Sequence, residues 1–328
     1  MQKHLILFSL LLAFGAGCVS DETEMATTEE AAEDDVTASE ATEPSDSDWE
    51  NPLGNHALFV GFSDDGNDFD VNSKTIAEQA SVGNLLVLQA DAGEFKTGTL
   101  LAYFVDASVM TQPGEERLAL ISSVDNGETW SERTPLVLEG LPESTLPVDP
   151  SVVQLEDGSL RLYFFNFAVV SGAAQKQWNV DEPHVIASAI STDGVTFVYE
   201  GESLQRKYVT DPEVVKFGDT WFMYLAGGMG NGIPVATSTD GKTFTDTGVV
   251  IDMLGIPGSL VVGDQVSLYG CGTGGITRAV STDGTTFSEE EVVLQVPACD
   301  PDPAMLSDGT LVLLMKGFST TLNGPNIR

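Results

Sequence analysis

Cations are scarce in this chain. Fourteen lysines and arginines stand against 50 aspartates and glutamates in 328 residues, a formal net charge of −36. A polyanionic partner needs a basic surface, so the balance argues against nucleic acid and anionic lipid headgroups as partners. Histidine and cysteine are rarer still, three of each. His184 has no second histidine nearby except His56, which argues against a histidine metal pair. No Cys-x-x-Cys site, phosphate loop or serine nucleophile elbow occurs.

Long apolar runs are missing too. The N-terminal stretch from Leu5 to Phe14 follows Lys3 and is too short to span a bilayer, so residues 1–18 read as an export signal. Gly15-Ala16-Gly17-Cys18 resembles a bacterial lipoprotein box, which implies lipidation of Cys18; the alternative is an ordinary cleaved signal with a chance cysteine. In such families Val19 after the cysteine implies an exported protein anchored at the outer membrane or cell surface, touching the membrane only through the lipid. Residues 19–55 are an acidic tether: residues 21–50 hold thirteen acids and no base, too polar to bury a core. The folded part, residues 56–328, retains 37 acids against 13 bases, as expected for an exposed, soluble, monomeric domain.

What is present is repetition. Ser63-Asp64-Asp65-Gly66, Ser123-Val124-Asp125-Asn126-Gly127, Ser191-Thr192-Asp193-Gly194, Ser238-Thr239-Asp240-Gly241 and Ser281-Thr282-Asp283-Gly284 are five copies of one turn, each followed by an aromatic residue. The aspartate caps its own turn, the glycine takes a positive φ, and the aromatic plugs between neighbouring sheets. The fullest copy, Ser123 to Trp130, resembles the structural "Asp box" of sialidases and related propellers.

A second motif opens the repeats. Asp149-Pro150, Asp211-Pro212 and Asp300-Pro301 each precede an apolar strand, Ile256-Pro257 keeps the proline alone, and the matching stretch of the first repeat begins near Asn84. Short β-branched runs between these signals read as antiparallel strands. Repeats at 84–139, 149–200, 211–250 and 256–296 leave a last pair of strands around Pro303 and Leu311. The hairpin from Ala57 to Val71 supplies its outer half, with no strand left over. The expectation is an all-β, five-bladed β-propeller of four-stranded antiparallel blades, the last closed by N- and C-terminal strands.

That topology puts the five Ser-x-Asp-Gly turns on the back face and the starts of the inner strands on the front. Asp149, Asp211, Asp300 and Asp302 gather there as candidate catalytic residues. The loop from Ala168 to His184 brings Lys176, Trp178, Asp181 and Glu182. The connection before Asp211 brings Arg206, Lys207 and Tyr208. Lys176, Trp178, Arg206, Tyr208 and Asn84 are the candidates for stacking on and hydrogen-bonding a sugar.

Five blades opening Asp-Pro-x-Val-Val and ending near Asp-Gly-x-Thr-Phe resemble the arabinanase and xylosidase group of glycoside hydrolase family 43, with the family 32 invertases more distant. The resemblance covers nearly all of residues 57–328. It implies a polysaccharide or glycan substrate, Asp149 as base and Asp211 as the orienting acid of the next blade. The third role falls near Ile256-Pro257, where the family's Glu-x-Pro is absent, leaving Asp300 or Asp302 to act as acid. A six-bladed sialidase is disfavoured by the blade count and by scarce arginine. Three alternatives stay open. Asp-Pro could be only a strand-entry device, the front face could bind a glycan or protein without turnover, and the axial carboxylates could hold Ca2+, although no cofactor is required. Cys271 and Cys299 fall on adjacent blades, as a disulfide or as two buried thiols.

Overall fold

A computed structural model describes residues 51, 53–112, 114–168, 183–228, 231–272 and 274–318. They belong to one compact unit that begins at Asn51. The expected lipidation site Cys18 and the loop residues Lys176, Trp178, Asp181 and Glu182 lie outside the described residues.

The strands form five small sheets arranged as a propeller. At the N-terminus come β1 (His56–Ser63) and β2 (Asp70–Glu78). The first blade is β3 (Ala80–Val87), β4 (Leu100–Asp106), β5 (Arg117–Ser123) and β6 (Thr134–Pro135), from the axis outward. The short β7 (Val137–Glu139) follows, then the second blade of β8 (Pro147–Gln154), β9 (Leu160–Asn166), β10 (His184–Ser191) and β11 (Thr196–Arg206). The third is β12 (Val209–Phe217), β13 (Thr220–Gly227), β14 (Ile233–Ser238) and β15 (Thr245–Ile251). The fourth is β16 (Gly258–Val262), β17 (Gln265–Gly272), β18 (Gly275–Ser281) and β19 (Glu291–Leu294). In the fifth, β20 (Cys299–Met305) and β21 (Leu311–Phe318) pair with β1 and then β2, so both ends of the folded unit share one sheet.

Two details depart from the expected plan. The second blade has a fifth strand: β7 runs parallel to β11, pairing Val137 with Thr196 and Leu138 with Phe197, and covers an edge that would otherwise be open. In the first repeat the slot of Asp-Pro is taken by Val82-Gly83, two residues before Asn84, where β3 has its register shift.

Stacking buries the middle strand on both faces, which is why β4 is apolar from Leu100 to Val105 and buried through Asp106. The Ser-x-Asp-Gly turns lock neighbouring blades. In each, the serine hydroxyl accepts from the glycine N–H at 2.9–3.0 Å. A tyrosine from the preceding blade donates to the glycine carbonyl: Tyr103 to Gly194 (3.0 Å), Tyr163 to Gly241, and Tyr224 to Gly284 (2.9 Å). The same tyrosines meet the turn aromatics edge-on, Tyr103 with Phe197, Tyr163 with Phe244 and Tyr224 with Phe287.

Candidate functional site

The inner strands carry two polar layers around the axis. The first is the layer of Asp149, Asp211 and Asp300. Each sits where the strand pairing slips, and each has a left-handed backbone, with φ of 55°, 46° and 52°. Val82 holds the same place in the first blade at φ 43°. Aspartate tolerates this conformation better than most residues, whereas a β-branched valine is strained by it. These aspartates therefore sit at a bulge within the inner strand rather than at its first residue. They also line one axial cavity together with Val82 and Ile256. The cavity holds ≈ 10 Å³, about the room one water needs.

The electrostatics of this layer follow from burial. Asp149, the most exposed of the three, is half-buried, while Asp211 and Asp300 are 4% and 2% exposed. Burial, reinforced by the charges of Asp211 and Asp300, raises the Asp149 carboxyl well above its usual range. Burial also raises Asp211 to about 7, with Asp300 adding to the effect. Asp300 stands beside the Lys316 ammonium of β21, 2.8 Å from Nζ to Oδ2. That contact is not aligned as a hydrogen bond, so both buried Asp300 oxygens lack a donor. Lys316 belongs to the site and has a neighbour of its own: burial and then the Lys316 charge lower His56 to about 4. His56 Nδ1 meets Ser81 Oγ at 3.0 Å.

The second layer lies two residues further along each inner strand, where a side chain reaches the next blade's backbone. Asp302 Oδ1 accepts from Leu85 N at 2.8 Å, Asn84 Oδ1 from Val152 N at 2.9 Å and Ser151 Oγ from Val214 N at 3.0 Å. Glu213 Oε1 accepts from Ser259 N at 3.0 Å and from Ser259 Oγ at 2.7 Å. The fifth junction breaks the pattern: Gly258 has no side chain to offer, and the equivalent of the donor residue is Pro303, which has no N–H. The same pair of blades is joined by a disulfide between Cys271 and Cys299, with Cα atoms 5.1 Å apart. Burial raises Glu213 to about 7, and burial with the Glu213 charge raises Asp302 well above its usual range.

The candidates therefore divide. Asp149, Asp211 and Asp300 converge on the axis. Asp302 lines the same axial cavity, as does Glu213, and also takes part in the inter-blade ring, where Asn84 Nδ2 donates to Asp302 Oδ2 (3.1 Å). Arg206 and Tyr208 lie apart from the axial cavity, along a groove of ≈ 420 Å³. Among the described residues no three histidine, cysteine or acidic groups are disposed to hold a metal ion, and Lys316 already places a positive charge on Asp300.

No protein-family model matches the sequence, and no curated protein matches it. Solved structures do match in fold. A microbial sialidase, Hadza Hz136, superposes with a TM-score of 0.53 at 14% identity over 80% of this chain. This chain spans 59% of that protein's length. A protein of unknown function from Dyadobacter fermentans gives 0.52 at 17% identity, covering 81% of this chain and 85% of that one. A family 117 glycoside hydrolase from the marine bacterium Zobellia galactanivorans gives 0.52 at 13%, covering 85% and 89%. The likeness is one of fold: this is a five-bladed propeller of the kind found among glycoside hydrolases.

Proposed function

We propose that this chain is a carbohydrate-active propeller whose axial aspartates perform acid–base chemistry on a glycosidic bond presented at the front mouth. The observation that carries the reading is the convergence of Asp149, Asp211 and Asp300 from three blades, with Asp149 and Asp211 pushed toward the protonated form. Glycoside cleavage needs one carboxyl to protonate the leaving oxygen and a second to activate water or attack carbon. The electrostatics favour different roles from those the family resemblance implies. Asp149, protonated and half-buried at the mouth, suits the proton donor, and Asp300, paired with Lys316, suits the carboxylate. Asp211 tunes both through their shared charge.

The size of the axial cavity favours a second reading, glycan binding without turnover. Room for one water admits no sugar ring, so a substrate must stay above the mouth. Incubating the full chain with plant and marine polysaccharides and aryl glycosides separates the two. Sugar release that Asp149→Asn and Asp211→Asn abolish supports hydrolysis. Retention of a polysaccharide without release leaves the binding reading, and the absence of both release and retention overturns both.

We also propose that Cys18 carries a lipid that anchors the chain outside the cytoplasm, on the strength of Gly15-Ala16-Gly17-Cys18 ahead of an acidic stretch. Cys18→Ser should move the protein from the membrane to the soluble fraction; unchanged partitioning would remove the anchor.

A further inference from the structure

Among the described residues of this acidic chain, nearly every cation is held by a partner. Lys96 pairs with Asp91, Arg117 and Arg133 with Asp106, Arg161 and Lys242 with Glu200, Lys216 with Glu156 and Lys316 with Asp300. Arg278 donates to Asn67 and the Gly66 carbonyl, and Lys74 is engaged as well. Among the described residues Lys207 alone has no partner. It is exposed, in the turn between β11 and β12. It lines the ≈ 420 Å³ groove between the outer parts of the second and third blades, a volume typical of small-ligand sites.

The rest of the groove fits that unmatched charge. Arg206 stands beside Lys207, fixed by its contact with Asp246 (Nε to Oδ2, 2.9 Å). Tyr208 follows, 39% exposed, with φ of 58° and its carbonyl held by Gly228 N at 2.8 Å. A tyrosine in a left-handed turn is strained, and it leaves an aromatic face in solvent at a place where glycine or asparagine would sit more easily. Pro234 and Val250 form apolar wall opposite. An aromatic face, an apolar wall and two cations, one of them unneutralised, are the parts needed to hold a ring that carries a negative charge.

The geometry points to this groove as a binding site for an anionic sugar, a uronic acid or a sulfated residue of a glycan. The ring stacks on Tyr208 and the acid group is taken by Lys207, with Arg206 in support. The inference rests on the carbohydrate reading of the front face but not on turnover at the axis, since none of these residues lines the axial cavity.

Calorimetric titration of the full chain with short oligogalacturonides, sulfated galactan oligosaccharides, neutral galactan oligosaccharides and an acidic peptide tests it. At least one anionic sugar should bind about tenfold or more tightly than the neutral one, the size of one charge-assisted contact, and should weaken as salt is raised. Carboxylated and sulfated arms identify which acid group is read. Lys207→Gln, which breaks no contact in the protein, should remove the preference. Tyr208→Gly, chosen because glycine accepts φ of 58°, should weaken all sugars together. Asp211→Asn should leave binding intact even where it abolishes any hydrolysis, so failure at the axis and failure in the groove are told apart. Equal binding of neutral and anionic sugars, no binding of either, full binding by Lys207→Gln, or an acidic peptide bound as tightly as the sugars would each overturn the proposal.

Discussion

Gly258 lies so close to Pro301 that a β-carbon on it would fall 1.8 Å from the Pro301 carbonyl oxygen. At the other four junctions a side chain at this position reaches the neighbouring backbone; here the backbones themselves meet. Gly258→Ala should therefore cost at least the 1–3 kcal/mol typical of overpacking, roughly, because backbone rather than a flexible side chain must move. Urea unfolding gives the number. A midpoint equal to that of the unchanged protein would mean that the junction is looser than its contacts imply.

Stability should fall as pH rises from about 4.5 to 7. Burial raises Asp211 from 3.8 to about 7 and Glu213 from 4.5 to about 7. Across that window the folded state keeps protons that the unfolded state releases, so deprotonation favours unfolding. Asp149 and Asp302, also raised, act in the same sense. His56, lowered from 6.5 to about 4, opposes them, because it must charge when the chain unfolds in acid. The turn aspartates Asp125 and Asp240, lowered to about 2, withdraw stability only below their ordinary value of 3.8. Thermal melts across pH should show the decline, and Glu213→Gln, which keeps an acceptor for Ser259, should flatten it. A profile rising from pH 4.5 to 7 would contradict the assignment.

Lys316 and Asp300 should behave as a coupled pair. Lys316→Met leaves a carboxylate buried without its counter-charge, a change that costs about 3–5 kcal/mol in comparable sites. Adding Asp300→Asn, which tolerates the left-handed backbone, should return much of that loss. A double-mutant cycle measures the coupling, and purely additive effects would show that the ammonium stabilises something other than Asp300.

Reduction of the Cys271–Cys299 disulfide should destabilise the fold by about 2–4 kcal/mol, the usual range for a link of this kind. Melting with and without a thiol reductant, beside a Cys271→Ser/Cys299→Ser variant, reports it. The two should agree; an unchanged melt in both would leave the junction dependent on packing alone.

Much of this architecture was legible in residue spacing. The five Ser-x-Asp-Gly turns and the Asp-Pro openings locate the blades, and the worn Ser63 turn marks Ala57 to Val71 as the hairpin that pairs onto β21. The polar ring was harder to read. Asn84, Ser151, Glu213 and Asp302 stand at one position only once Val82-Gly83 is recognised as the slot of Asp-Pro, and no acid or proline marks it. A residue two positions past that slot can be a cross-blade acceptor in space, as Asn84 is. Lys316 and His56 were illegible for another reason. Each is an isolated polar residue at or near the end of a largely apolar strand, and its neighbourhood depends on which strand closes the ring. β7 is too short to carry a signal of its own.

The placing of the disulfide has a consequence for how the chain is connected. Residues 272–298 are a detour between two cysteines already joined to each other, and they contain the outer half of the fourth blade. A single cut in the turn after Gly272, or before Cys299, would leave both fragments covalently attached. The fifth blade would still be assembled from β1 and β2 of one fragment and β20 and β21 of the other. Such a nicked molecule would keep its ring and migrate as one chain until a thiol was added.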